Sequence, residues 1–405
     1  MSLTVSVKSV KHFARLLTIC LLGLFASADQ ASADDNCEPL DPSTCSLGEL
    51  ASKLGIRLGS TLEDFEVSDA GYVNKLKAEF TSVTPENDLK LSETQEIRGT
   101  WDFAAGDVVV GYAESEGLAI RGHTLVWSQD IRMPEWVLTI SDPEELWRVV
   151  SLHVTEVMNH YSGRIHRWDV VNEPLATLSA ENSESVFWTM GSDWIQRVFD
   201  LAHSIDPEAE LWINEYGTDW VPGKHDAYLT LVRSLVEAGA PIDGVGIQMH
   251  RLPGLTLDRT KFEDQLRDFT ELGLKVAITE LDVPTTPGDP NALAWQAQEY
   301  AKIVGACLSV ANCTEITLWG LSDRDSWLDS LGAFVAPTRP LLFDEELSPK
   351  LAYYAVRDEM AEKLILRSLP ATGKMSVELL IISLSIVAIG VLLRSRDPKR
   401  LRGDI

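Results

Sequence analysis

Eight short strand-like runs, separated by longer amphipathic stretches, constrain the fold of this chain more than any other feature. They are Arg57–Ser60, Phe80–Thr84, Ala119–Leu125, Arg167–Asn172, Glu210–Asn214, Val245–Met249, Lys275–Thr279 and Glu315–Trp319. Runs of this length, alternating with segments long enough for a helix, mark βα units on a parallel sheet buried on both faces. Between residues 50 and 366 no linker, low-complexity tract or long repeat interrupts them. The rhythm predicts a single α/β domain, a closed (β/α)8 TIM barrel.

One helix can be read closely. Ser141-Asp142-Pro143-Glu144-Glu145 offers a capping side chain, a proline suited to the first turn, and acids that complement the positive end of the helix dipole. Leu146, Val149, Val150, Val154, Val157 and Tyr161 then recur at helical spacing, and Gly163 ends the pattern. The strand that follows leads to Glu173.

How each run ends is equally telling. The exits are Glu86-Asn87, His123, Asn172-Glu173, Asn214-Glu215-Tyr216, Gln248 with His250, Glu280 with Asp282, and Trp319. Apolar filler gives way to hydrogen-bonding and aromatic groups at the same end of seven of the eight strands, and barrel active sites form at that C-terminal rim. Glu173 and Glu280 each close a buried run, Trp168-Asp169-Val170-Val171-Asn172-Glu173 and Val276-Ala277-Ile278-Thr279-Glu280. Two carboxyls on one rim are what hydrolysis of a glycosidic bond with retention needs, one as proton donor and one as nucleophile.

The motifs, taken in order, resemble glycoside hydrolase family 10, the endo-β-1,4-xylanases. They are Val83-Thr84-Pro85-Glu86-Asn87-Asp88-Leu89-Lys90, Arg121-Gly122-His123-Thr124-Leu125-Val126-Trp127, Trp168 to Pro174, Gly246-Ile247-Gln248-Met249-His250, Ile278-Thr279-Glu280-Leu281-Asp282, Trp319-Gly320-Leu321-Ser322-Asp323 and Pro340-Leu341-Leu342-Phe343-Asp344. The resemblance implies xylan as substrate, no cofactor and no metal. It implies Glu173 as general acid/base and Glu280 as nucleophile. Glu173 must then keep its proton at working pH, raised by the like charge of Glu280 and by partial burial, while Glu280 stays ionised. Asn172 is expected to donate to the 2-hydroxyl of the sugar being cleaved or to Glu280. His250 is expected to orient Glu280, with Asp282 fixing the imidazole. His123 and Gln248 would line the same sugar site, and Glu86, Asn87 and Lys90 would bind the neighbouring glycone sugar. Trp127, Trp319 and Trp327 would offer aromatic faces to pyranose rings, and Tyr216 another on the leaving-group side. Two positions depart from the family: Ser128 stands where it often has His, and Leu91 where it often has Trp.

The net charge of −26 excludes a nucleic-acid partner, because phosphate binding needs a basic face. Both ends of the chain run against that charge. Lys8, Lys11 and Arg15, the apolar run Leu16–Phe25 and the small-residue patterns Ala26-Ser27-Ala28 and Ala31-Ser32-Ala33 predict a secretory signal over 1–33. At the other end Leu369-Pro370-Ala371-Thr372-Gly373 precedes an apolar run, Leu379–Leu393, and the basic Arg394, Arg396, Lys399, Arg400 and Arg402. This resembles a cell-wall sorting signal over 367–405, cut by a sortase between Thr372 and Gly373; a plain single-pass anchor is the alternative. Either leaves the protein secreted and tethered, with 34–49 as a short lead into the catalytic domain. Once the signal is removed four cysteines remain. Their close spacing in a secreted chain predicts disulfides Cys37–Cys45 and Cys307–Cys313, the second also similar to a family disulfide. No histidine accompanies them at zinc spacing. A monomeric catalytic domain is expected. The rival functions are a glucan-cleaving enzyme of the same fold and a polysaccharide-binding protein with a retired site.

Overall fold

The structure is a computed structural model that describes residues 37–130, 133–330 and 337–369. The predicted secretory signal lies outside them, as does the predicted sorting signal beyond Leu369; its first residues, Arg367 and Ser368, belong to the last helix. Nine parallel strands form one sheet: β1 Arg57–Leu62, β2 Ser82–Pro85, β3 Ala119–Ile120, β4 Gly122–Trp127, β5 Arg167–Asn172, β6 Glu210–Glu215, β7 Gly244–Ile247, β8 Lys275–Leu281 and β9 Cys313–Leu318. Their order is β3-β2-β1-β9-β8-β7-β6-β5-β4. The terminal strands β3 and β4 are two halves of one run broken at Arg121, so the sheet closes on itself as an eight-stranded barrel. β3 pairs with β2 and β4 with β5. The eight expected strands are therefore all present, the third of them split.

Arg121 turns a fully buried guanidinium into the barrel interior, donating to Asp169 on β5 (3.0 and 2.5 Å) and to Glu315 on β9 (3.0 Å). Arg167 joins Glu315 to Glu210, and Lys275 reaches Glu210 at 2.7 Å. The ring of buried Trp212 lies between the two guanidiniums, 4.9 Å from Arg121 and 4.7 Å from Arg167. A charge-matched layer, not aliphatic filler, thus occupies the strand-start half of the barrel. A buried charge is tolerated only with partners of this quality.

Helices join consecutive strands. The helix Pro143–His160 forms as its sequence predicts: Asp142 accepts from the Glu144 amide (3.1 Å), Pro143 sits in the first turn, and Leu146, Val150, Val154 and Val157 are buried. The helix Leu47–Leu54 is capped reciprocally by Ser46 and Glu49, buries Leu47, Leu50, Ala51 and Leu54, and ends at Gly55 (φ 72°) two residues before β1. It covers the strand-start end. The last helix, Leu351–Ser368, also finishes there: Arg367 donates to the carbonyls of Leu54 (2.7 Å) and Leu308 (3.5 Å), which lie in the last turns of the helices that lead into β1 and β9. Both predicted cysteine pairs are bonded. Among the described residues no helix is long and apolar enough to cross a membrane, and no cluster of His, Cys, Asp and Glu could hold a metal ion.

Candidate active site

The strand ends open into a cleft of about 720 Å³. Glu86, Asn87, Lys90, His123, Trp127, Asn172, Glu173, Tyr216, Gln248, His250, Glu280, Trp319 and Trp327 all line it, so the structure brings together every cleft residue expected from the sequence. Asp282 lies one layer behind.

Glu280, near the end of β8, has a hydrogen-bonding partner at each carboxylate oxygen. Its Oε1 accepts from Asn214 Nδ2 at 2.6 Å, and its Oε2 lies 3.2 Å from His250 Nε2. His250 Nδ1 is 2.8 Å from Asp282 Oδ2, which also accepts from Trp327 Nε1 at 2.7 Å. Burial opposes charge on the imidazole, but the carboxylates of Asp282 and Glu280 outweigh it and push His250 up to about 10. Both ring nitrogens then donate, one to each carboxylate. Burial likewise pushes Glu280 upward. Interaction with His123, the hydrogen bond and charge of His250, and Lys90 outweigh it and hold Glu280 below the usual glutamate range. The residue is built to be an anion.

Glu173 is held differently. It follows Asn172, the last residue of β5, with a left-handed backbone (φ 54°), a conformation that costs a non-glycine residue about 1–3 kcal/mol. Its amide donates to the Asn214 carbonyl (2.9 Å), and Oε1 accepts from Gln248 Nε2 (3.0 Å) and Asn172 Nδ2 (3.3 Å). Its side chain is only half-buried, and both of these donors are neutral amides. Two carboxyls of one cleft thus sit in unlike surroundings, the condition for opposite proton roles.

Of the two roles expected of Asn172, donation to Glu280 belongs to another residue. Asn172 turns its amide to Glu173, and its Oδ1 accepts from Asn214 (2.8 Å) and Gln248 (3.1 Å). The donor to Glu280 is Asn214, which sequence reasoning placed at a rim but gave no role. The signal was there: β6 ends in Asn214-Glu215 as β5 ends in Asn172-Glu173, and the two asparagines are paired in register. Glu215 is the false partner in that repeat. It is fully buried, lies 3.1 Å from Lys224, and accepts from the amides of Leu175 (2.9 Å) and Tyr216 (3.0 Å).

Along the cleft, Lys90 Nζ donates to Asn87 Oδ1 (2.8 Å) and stands 4.6 Å from the ring of Trp127. Burial and the charge of Glu63 push Glu86 up to about 7, with Lys90 opposing. His123 Nδ1 lies 2.9 Å from Asp169, joining the site to the ionic layer below, and its ring meets Trp319 edge-on at 5.1 Å. On the far side Tyr216 lies under Lys224 Nζ at 4.0 Å. Glu63, Phe65, Trp220, Arg251 and Arg324 also line the cleft and were not anticipated, because they come from loops without strand-end motifs. The two family departures do not line it. Leu91 and Ser128 are buried, and Ser128 Oγ is 2.8 Å from Ser183 Oγ.

A barrel whose rim carries a donor-saturated carboxylate and a half-open one, in a cleft walled by tryptophans, defines a glycoside hydrolase. The comparisons specify which. The model of glycosyl hydrolase family 10 matches residues 46–359, and the chain belongs to that family, a retaining glycoside hydrolase. It is 33% identical over 327 residues to endo-1,4-beta-xylanase 1 of Humicola insolens, covering 79% of this chain and 75% of that one. It is 37% identical over 288 residues to endo-1,4-beta-xylanase A of the same organism, covering 70% and 75%. Among solved structures, native xylanase 10B from Thermotoga maritima superposes with a TM-score of 0.74 at 34% identity, covering 79% of this chain and 99% of that one. Xylanase 10B from Thermotoga petrophila RKU-1 in complex with xylobiose gives 0.74 at 34%, covering 79% and 98%.

Proposed function

We propose that the protein is an endo-1,4-β-xylanase that is secreted, held at the cell surface, and cleaves internal xylosidic bonds by double displacement. Glu280 attacks the anomeric carbon while Glu173 gives its proton to the departing oxygen. The glycosyl ester on Glu280 is then hydrolysed by a water that Glu173 deprotonates. The observation that carries the assignment is the contrast between the two carboxyls. His250 and Asn214 each occupy one oxygen of Glu280 and favour its anion, whereas Glu173 accepts from the neutral amides of Gln248 and Asn172. Asn172, His123 and Gln248 serve the sugar being cleaved, Glu86, Asn87 and Lys90 the next glycone sugar, Trp127, Trp319 and Trp327 the ring faces, and Tyr216 the leaving-group side.

The xylan preference rests on the names of the relatives and on the ordered motifs. The test is reducing-end release by the purified enzyme from β-1,4-xylan and from soluble cellulose, side by side. Release from xylan with little from cellulose is expected. Equal or greater release from cellulose would replace the reading with a glucanase, and silence on both with a binding protein. Surface attachment rests on Leu369-Pro370-Ala371-Thr372-Gly373 and the apolar and basic stretches after it. We propose a secretory signal over 1–33, a catalytic domain over 50–366 that acts as a monomer, and sortase cleavage after Thr372. Release of activity from cells by wall-digesting enzymes, but not by detergent, is the expected result; the reverse would make residues 379–393 a retained membrane anchor.

A further inference from the structure

Phe65 lines the same cleft as Glu86, Asn87 and Lys90 while its ring remains 57% exposed. A single exposed apolar side chain is ordinary. Phe65 differs in being fixed to the sugar-recognition set. It sits in a short 3-10 turn, Asp64–Ser68. Buried Glu66 accepts from the Glu63 amide (2.9 Å), Asp88 accepts from the Asp64 amide (3.2 Å), and Ser68 Oγ donates to the Phe65 carbonyl (2.9 Å). Glu63 Oε1 accepts from Asn87 Nδ2 at 2.6 Å, and Asn87 in turn binds Lys90. The turn that carries the ring is therefore tied to the Asn87-Asp88 segment, so its backbone is already ordered when a ligand arrives.

We infer that Phe65 is the platform of a further glycone subsite, beyond the sugar bound by Glu86, Asn87 and Lys90, and that this subsite takes a neutral pyranose. The inference rests on the proposed function. The apolar face of a sugar ring would cover surface that Phe65 leaves in water. The charges nearby select against acids. Arg324, which also lines the cleft, is matched by Asp69 (3.1 Å) and Asp325 (2.9 Å), and Glu63, two residues before Phe65, adds a carboxylate to the same lining. A uronic acid there meets like charge.

The test compares aryl β-xylobioside with aryl β-xylotrioside, which share a leaving group and differ by one distal sugar. The full-length enzyme is expected to favour the trioside in kcat/KM. In Phe65→Ala that advantage falls roughly fivefold to tenfold, the size expected of one half-buried ring contact, while Phe65→Trp keeps it; thermal unfolding confirms that both variants fold. An advantage that persists in Phe65→Ala, or is absent from the parent enzyme, overturns the subsite. Should the parent ignore both xylosides, the substrate reading falls, and the corresponding cellobioside and cellotrioside pair reads the platform instead.

Discussion

Asn214 on β6 donates to Glu280 on β8 at 2.6 Å, passing over β7, the strand between them. A glycine makes the passage possible. A Cβ on Gly246 of β7 would lie 2.1 Å from Asn214 Oδ1 and 2.9 Å from the Thr279 methyl. Thr279 Oγ1 donates to that same Oδ1 at 2.7 Å, so the amide is locked with its NH2 toward the nucleophile.

Asn214→Ala removes a hydrogen bond to a buried carboxylate, worth about 1.5–3 kcal/mol. The expected result is a fall in kcat of roughly tenfold to a hundredfold on xylan, with KM changed far less. Gly246→Ala should do similar damage without touching the amide itself. Wild-type kcat in both variants would mean that His250 alone fixes Glu280.

The unlike surroundings of the two carboxyls predict unlike phenotypes. Glu280→Ala should abolish turnover of every substrate. Glu173→Ala should lose xylan yet retain aryl glycosides whose leaving groups need no proton. More than a few per cent of activity in Glu280→Ala, or equal survival of both substrates in Glu173→Ala, would reverse the roles.

Arg121 is the centre of the buried ionic layer. Arg121→Met leaves Asp169 short of its main partner and strips one cation from Glu315. Breaking one side of such a pair costs about 3–5 kcal/mol. Chemical denaturation should show a loss of that size. A loss below about 1 kcal/mol would mean that Arg167 and His123 suffice.

Burial holds Glu66 up to about 8, with its bonds to Glu63 and Tyr72 opposing, against an ordinary 4.5. The folded protein keeps a proton that the unfolded chain gives up above about 4.5. The stability linked to that proton is full at lower pH and declines as pH rises toward 8, by up to about 1.4 kcal/mol per unit. Glu66→Gln should flatten the fall across that window. A slope equal to that of the parent, measured by urea unfolding at several pH values, would assign the dependence elsewhere, for example to Asp88 or Glu215, both pushed up to about 7.

The strands were legible because a barrel strand is buried on both sides, and that shows as an uninterrupted run. The carboxyls were legible because each such run ended in one. Three features were not. The partners of Arg121, Asp169 and Glu315, lie far from it in sequence. Glu215 and Glu280 look alike as strand ends, and only the neighbour tells them apart: Lys224 for one, His250 with Asn214 for the other. Phe65 and Arg324 come from loops, whose course no hydrophobic period encodes.

The contacts of Arg367 give the molecule a polarity. The final helix ends at the pole beneath the barrel, so the backbone leaving Ser368 departs from the side opposite the catalytic mouth. Under the surface attachment proposed here, the enzyme would stand on its base with the mouth turned to the surroundings. It would graze on polymer arriving from outside and not on the envelope that carries it, and oligosaccharides would be released at the cell's doorstep.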